Sequence, residues 1–134
     1  FIYDQTHDRD IRHFGGLVGQ VPVATTFFIV AALCGMGVPG FASFWAELLV
    51  FVAAIQEFPY LGILAIAGLV FTAAYILRVL GTAIFGPKNA DWDKLIEPTP
   101  FLTIPRIILV ALLLLFGFLP NLMLDMIGSA TGVK

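Results

Sequence analysis

Gly35-Met36-Gly37-Val38-Pro39-Gly40 lies inside an apolar run from Val21 to Ile55 whose only charge is Glu47. A straight helix of ~35 residues would reach roughly 52 Å, well beyond the ~30 Å of a bilayer's hydrocarbon, so the run must be interrupted. The interruption is legible in these six residues. Glycines supply positive φ at no steric cost, and Pro39 removes a donor and disfavours helix at Val38. Two readings follow: one discontinuous span over 21–57 broken near Gly35 to Gly40, or two short helices folded as a hairpin, which makes four short spans in all.

Working outward, a second apolar run extends from Phe58 to Phe85 with Arg78 near its end, and a third from Phe101 to Ile127 between Arg106 and Asp125. Most of the charge lies in bands at 1–20 and 87–100, and a short tail follows at 128–134. Each run exceeds the ~20 residues needed to cross a bilayer, and period-2 alternation is absent, so helices rather than strands are expected. Over the 134 residues, 60% are apolar and 12% charged, against ~25% charged in soluble domains; a soluble globular enzyme is excluded. The net charge of −2 offers no field for nucleic acid. Cys34 alone makes no disulfide framework, and His7 and His13 lack metal-ligand spacing, so no metal site is expected. Phe1 rather than Met opens the sequence and no secretory pattern follows, so a piece of a longer protein is expected.

Charge asymmetry chooses between the two readings. If 21–57 is one span, Arg9, Arg12, Arg78, Lys88, Lys94 and Arg106 fall on one side and Lys134 on the other, the contrast expected between cytoplasm and exterior. The hairpin divides them three to four, which is no contrast. The expected architecture is therefore an all-α membrane protein of three transmembrane spans (21–57 discontinuous, 58–86, 101–127), with 1–20 and 87–100 cytoplasmic and the C-terminus outside. Unwound backbone at membrane depth is tolerated only beside protein or a water-filled cavity, and transporters place ion sites at such breaks.

Glu47 is the principal candidate site residue. It follows Gly40 by seven positions among Phe44, Trp45, Leu48 and Phe51. A carboxylate near the bilayer centre costs several kcal/mol unless protonated, paired or wetted, and intramembrane ionisable groups are functional by default. Arg78 is read chiefly as snorkelling to headgroups, and secondarily, with Tyr75 and Thr72, as a contributor to a proton route. The break residues Gly35, Gly37, Pro39 and Gly40 are assigned to the same pathway. Trp92 is expected as an interfacial anchor, Glu57 and Pro59 as a turn, and His7 and His13 as solvated. No P-loop, GxGxxG, GxSxG or HExxH pattern is present.

The runs Tyr3-Asp4-Gln5-Thr6-His7-Asp8-Arg9-Asp10-Ile11 and Phe14-Gly15-Gly16-Leu17, with Gly37-Val38-Pro39-Gly40-Phe41-Ala42-Ser43-Phe44-Trp45-Ala46-Glu47-Leu48, resemble the C-terminal part of the antiporter-like membrane subunits of complex I, NADH:quinone oxidoreductase. Within that superfamily the sequence is most similar to the NuoM/NdhD or chain-four type. Ala73-Ala74-Tyr75-Ile76-Leu77-Arg78 and Phe85-Gly86-Pro87 resemble its penultimate span and exit loop; Gly81-Thr82 and Ile107 depart from common members. The resemblance implies a proton-translocating, non-redox subunit coupling NADH:quinone electron transfer to pumping, with Glu47 as the carboxylate at the proton exit. It implies no cofactor in this chain: NADH, FMN, Fe–S clusters and quinone belong to other subunits. The implied partners are water, protons, the membrane and neighbouring membrane-arm subunits. The implied location is a bacterial-type inner membrane, with thylakoid and mitochondrial inner membranes as alternatives. An Mrp-type cation/proton antiporter subunit and the membrane subunit of an energy-converting hydrogenase are the rival readings. Lys rather than Glu is usual at the matching place in Mrp-type proteins.

Overall fold

Proline sets most of the helix starts. The computed structural model describes residues 1–92 and 94–131, and among them the helices are α1 (Ile2–Thr6), α2 (Leu17–Gln20), α3 (Pro22–Gly35), α4 (Ala42–Glu57), α5 (Pro59–Val79), α6 (Pro100–Phe118) and α7 (Pro120–Thr131). Pro22, Pro59, Pro100 and Pro120 each open a helix, where a missing N–H costs nothing and φ is preset. Three of these starts are single-residue corners of one kind. Val21 (φ −133°, ψ 70°), Phe58 (−137°, 75°) and Leu119 (−120°, 63°) are held out of the α region by the proline that follows. Each still donates its own N–H back to the preceding helix, to Leu17, Ala54 and Leu115 at 2.8–2.9 Å.

The third corner divides the helix expected over 101–127 into α6 and α7. The cause is local: Pro120 cannot donate to the preceding turn, and it pushes Leu119 out of helix. Pro105, by contrast, is accommodated inside α6. Residues 128–131, expected in the tail, belong to α7, while 132–134, with Lys134, lie outside the described residues, as does Asp93 of the polar band.

The fourth interruption, between α3 and α4, is of another kind. Helix α3 ends in a Schellman motif: Val38 N–H donates to Leu33 O (3.3 Å), Gly37 N–H donates to Cys34 O (3.1 Å), and Gly37 takes the left-handed conformation at φ +67°. Pro39 follows, then Gly40 at φ +107°, and α4 begins after Phe41. Ser43 Oγ–H in the first turn of α4 donates to Cys34 O at 2.6 Å, stapling the two helix ends together.

Helix α5 continues through a π turn, Leu80–Ile84, giving a rod over Pro59–Ile84. Its C-terminal end packs on the segment that leads into α3, where Leu17 and Val21 are buried together with Leu80, Ala83 and Ile84. Its N-terminal part packs on α4, with Ile55 so close to Gly62 that a Cβ there would strike backbone. Helix α4 finds its main partners in α5 and α6 rather than in α3. Among the described residues two helices are long and apolar enough to cross a membrane, Pro59–Ile84 and Pro100–Phe118, and a shorter apolar helix is Pro22–Gly35. Only 6% of the most apolar window of each long helix is buried, so neither is the core helix of a soluble fold. Large side chains such as Tyr60, Phe71 and Phe101 face outward, as they do against lipid or other helices.

The two polar bands lie at the same end. Gln5 exchanges both amide hydrogen bonds with the Ile96 backbone (2.8 and 3.0 Å), and Gln20 Nε2 donates to Asn89 O at 2.8 Å. Asn89 Nδ2 and Trp92 Nε1 both donate to His13 O. Trp92 also stacks on Phe14 at 5.4 Å, so the residue expected as an anchor ties the bands together. Glu97 crosses from the second band to α3, its carboxylate accepting from Val23 N (2.7 Å) and Ala24 N (3.3 Å) at the helix's positive end.

Candidate functional site

Helix α4 starts without a side-chain cap at Phe41, so the N–H groups of its first turn face the break. Side chains on a helix lean toward its N-terminus, and Glu47, in the second turn, leans back onto the unwound segment. Its carboxylate rests against Gly37: a Cβ at that glycine would overlap Oε2 and sit 3.2 Å from Cδ. Gly37 is therefore required twice, for its left-handed φ and for the space that Glu47 fills. The carboxylate is half-buried and makes no hydrogen bond or ion pair among the described residues.

The other break residues frame this group. Gly35 ends α3 and faces Ile76, and Pro39 is exposed. Gly40 lies against α6: a side chain at Gly117 would overlap the Gly40 carbonyl, and Trp45 Nε1–H donates to Gly117 O at 2.8 Å. The proline corner at Leu119 thus adjoins the glycine break. Cys34 is buried with its Sγ 3.2 Å from Ser43 Oγ, a packing role as expected of a lone apolar cysteine.

The secondary candidates lie elsewhere. Tyr75 and Arg78 line a cavity of about 520 Å³ at the polar end, with Arg12 and Thr82 on its wall. Thr72 hydrogen-bonds its own helix at Gly68 O (3.3 Å) and Thr82 does the same at Arg78 O (2.8 Å). No hydrogen bond or ion pair joins Glu47 to Arg78, Tyr75 or Thr72 among the described residues.

Sequence reasoning missed several polar contacts. His13, expected as solvated, is exposed yet bonded through Nδ1 to Asp8 Oδ2 at 2.6 Å. The Asp8 carboxylate raises the His13 pKa, while Asp8 is lowered first by the Asp10 N–H and then by His13. Asp10 is held down to about 2 by the Arg12 guanidinium, 2.8 Å away. Glu97 as a cap for α3 left no signal, because the 74-residue separation hides it. Arg106 was assigned only to the charge count, yet its guanidinium is sunk between α3 and α6 with Nη1 buried and unbonded.

Comparison with known proteins adds to this geometry. Residues 1–73 match the family described as NADH:quinone oxidoreductase/Mrp antiporter, TM. The chain is 32% identical over 132 residues to NADH-quinone oxidoreductase subunit M of Rhodobacter capsulatus, covering 96% of this chain and 25% of the relative. It is 33% identical over 138 residues to subunit M of Escherichia coli, covering 98% and 26%, and 31% identical over 134 residues to NADH-ubiquinone oxidoreductase chain 4 of Mycosarcoma maydis, covering 97% and 27%. The chain spans about a quarter of the length of the curated relatives it matches. It belongs to the NADH:quinone oxidoreductase/Mrp antiporter transmembrane family.

Proposed function

We propose that these residues form the C-terminal part of a proton-translocating, antiporter-like subunit of complex I, and that Glu47 exchanges its proton with water at the α3–α4 break. In this reading 21–57 is one discontinuous span, 58–86 and 101–127 complete the set, and both polar bands face the cytoplasm or its equivalent. The sparse contact between α3 and α4, each of which packs more closely on other helices, supports one broken span over a hairpin. The bonds joining the two polar bands at one end support the charge asymmetry.

One observation carries the role of Glu47: a half-buried carboxylate folded onto Gly37 with no hydrogen-bond or ion-pair partner among the described residues. Such a group persists at membrane depth by binding a proton or by meeting water, and alternation between these two states is proton transfer. Gly35, Gly37, Pro39 and Gly40 keep the backbone open for it. Tyr75 and Arg78, with Thr72 one turn further in, stand on the α5 side toward the polar mouth. The chain carries no redox chemistry of its own; electrons move in other subunits, and this segment responds by changing protonation.

The test is Glu47→Gln in the full subunit within the assembled complex. Proton pumping and coupled quinone reduction fall to a small fraction of wild type, while NADH oxidation by the peripheral arm with an artificial acceptor is retained. Normal pumping by an assembled variant overturns the proposal. The matched family also takes in Mrp antiporters. Pumping driven by NADH oxidation, without dependence on a sodium gradient, separates complex I from that alternative.

A further inference from the structure

The Cys34 carbonyl is a junction for the break. It accepts from Gly37 N–H at 3.1 Å, the bond that closes the end of α3, and from Ser43 Oγ–H at 2.6 Å, across the gap. The hydroxyl has a single hydrogen, and that carbonyl takes it. The Cys34 thiol, 3.2 Å from Ser43 Oγ, is then the donor of the second contact, so Cys34 meets the hydroxyl with both its backbone and its side chain.

Ser43 and Glu47 are four residues apart on α4 and lie one above the other on one face of that helix. The Ser43 bond aims this face at the end of α3. Glu47, a turn further on, leans back along the same face and lands on Gly37, the residue whose N–H shares the Cys34 carbonyl with Ser43. A serine at the start of a helix ordinarily caps that helix by accepting from its N–H groups. Ser43 instead donates to the neighbouring helix, and α4 begins without a side-chain cap. Its hydroxyl does not start α4; it orients it.

We propose that Ser43 is a positioning residue for Glu47: its bond to the Cys34 carbonyl fixes the rotation of α4 at which the carboxylate rests against Gly37. Without that bond α4 can turn about its own axis and carry the carboxylate off its seat. The consequence for pumping rests on the proton exchange proposed for Glu47, whereas the placement of the carboxylate does not.

The experiment uses the full subunit in its assembled complex, in proteoliposomes. It reads the rate at which N,N′-dicyclohexylcarbodiimide modifies Glu47, by mass spectrometry, and the protons pumped per NADH oxidised. Ser43→Ala is expected to raise the labelling rate about fivefold, the population shift that loss of one such hydrogen bond allows, because a carboxyl group off its seat is open to the reagent. Pumping is expected to fall with it. Ser43→Thr keeps the hydroxyl and should return both readings toward wild type, a rescue that general loosening of the helices would not show. Ser43→Cys under reducing conditions keeps the size of the side chain but donates weakly, so raised labelling is expected there too if Ser43→Ala does not assemble. Labelling equal to wild type in the Ala and Cys variants overturns the proposal, as does a rise that Ser43→Thr does not reverse. It also falls if Ser43→Ala pumps normally although Glu47→Gln does not. If labelling responds as expected while Glu47→Gln pumps normally, the placement by Ser43 is upheld and the proton role of Glu47 is what fails.

Discussion

The chain interrupts its apolar helices in two contrasting ways that meet at one place. At Leu119 a single residue turns the backbone, its N–H still bonded to Leu115, and Pro120 starts α7 at once. Between Gly35 and Ala42 six residues leave the helix, two glycines take positive φ, the following helix begins uncapped, and a carboxylate folds into the gap. The first device redirects a rod without opening it. The second exposes polar backbone and an acid together, the combination on which the proposed proton site rests. Their contact through Gly117 and Gly40 sets the proline corner against the glycine break.

The contrast predicts unequal responses to small substitutions. Gly37→Ala is expected to have the largest effect: the left-handed conformation alone costs about 1–2 kcal/mol for a residue with Cβ, and the methyl displaces the Glu47 carboxylate as well. Thermal unfolding of the assembled complex and proton pumping should both decline. In the Glu47→Ala background the same substitution should cost less, because the clash is gone. A simple sum of the two single effects would separate the glycine from the acid and break the comparison.

Pro120→Ala is expected to have a much smaller effect, within about 1 kcal/mol in either direction, since it returns one N–H and frees Leu119. Pumping should be retained. If Pro120→Ala equals Gly37→Ala in its effect on pumping, the proline corner belongs to the pathway and the distinction fails.

The smallest effect is pH-linked and confined to the polar end, which serves as the control for both breaks. The contribution of the His13–Asp8 pair is fully present between the ordinary values of the two groups, 3.8 for Asp8, which is lowered, and 6.5 for His13, which is raised. As pH rises through the raised value His13 loses its proton and the contribution is lost; as pH falls through the lowered value Asp8 is protonated and it is lost again. The exposure of His13 and the partial exposure of Asp8 keep the effect slight. Nuclear magnetic resonance of labelled histidine should show an upward-shifted titration that Asp8→Asn removes. Signals from residues at either break should not move with it.

These two interruptions also differ in how far the sequence disclosed them. Gly37 and Pro39 announce the break because left-handed φ and a missing donor are local properties, and the helices end and resume at Gly35 and Ala42, beside the residues that announced it. Pro120 was legible too, but apolar character continues through it, so hydropathy alone joined 101 to 127. Pro105 shows why composition could not decide: the same residue type is absorbed within α6. The prominence of Glu47 followed from its burden of charge in an apolar run. Its seat on Gly37, ten positions back, follows from the break, which brings the first turns of α4 back against the end of α3. The bonds of Glu97, Gln5 and Trp92 join residues 74 to 91 positions apart and could only be read in three dimensions.

Glu97 sits three residues ahead of Pro100, so the group that latches onto the start of α3 is carried on the lead-in to α6. The foremost turns of these two rods are thereby yoked, and Ser43 clasps the far tip of α3 at Cys34. Because Ser43 belongs to α4, a swing of that rod about the gap at Gly37 would first have to part this bond, so the clasp sets the stiffness of the hinge.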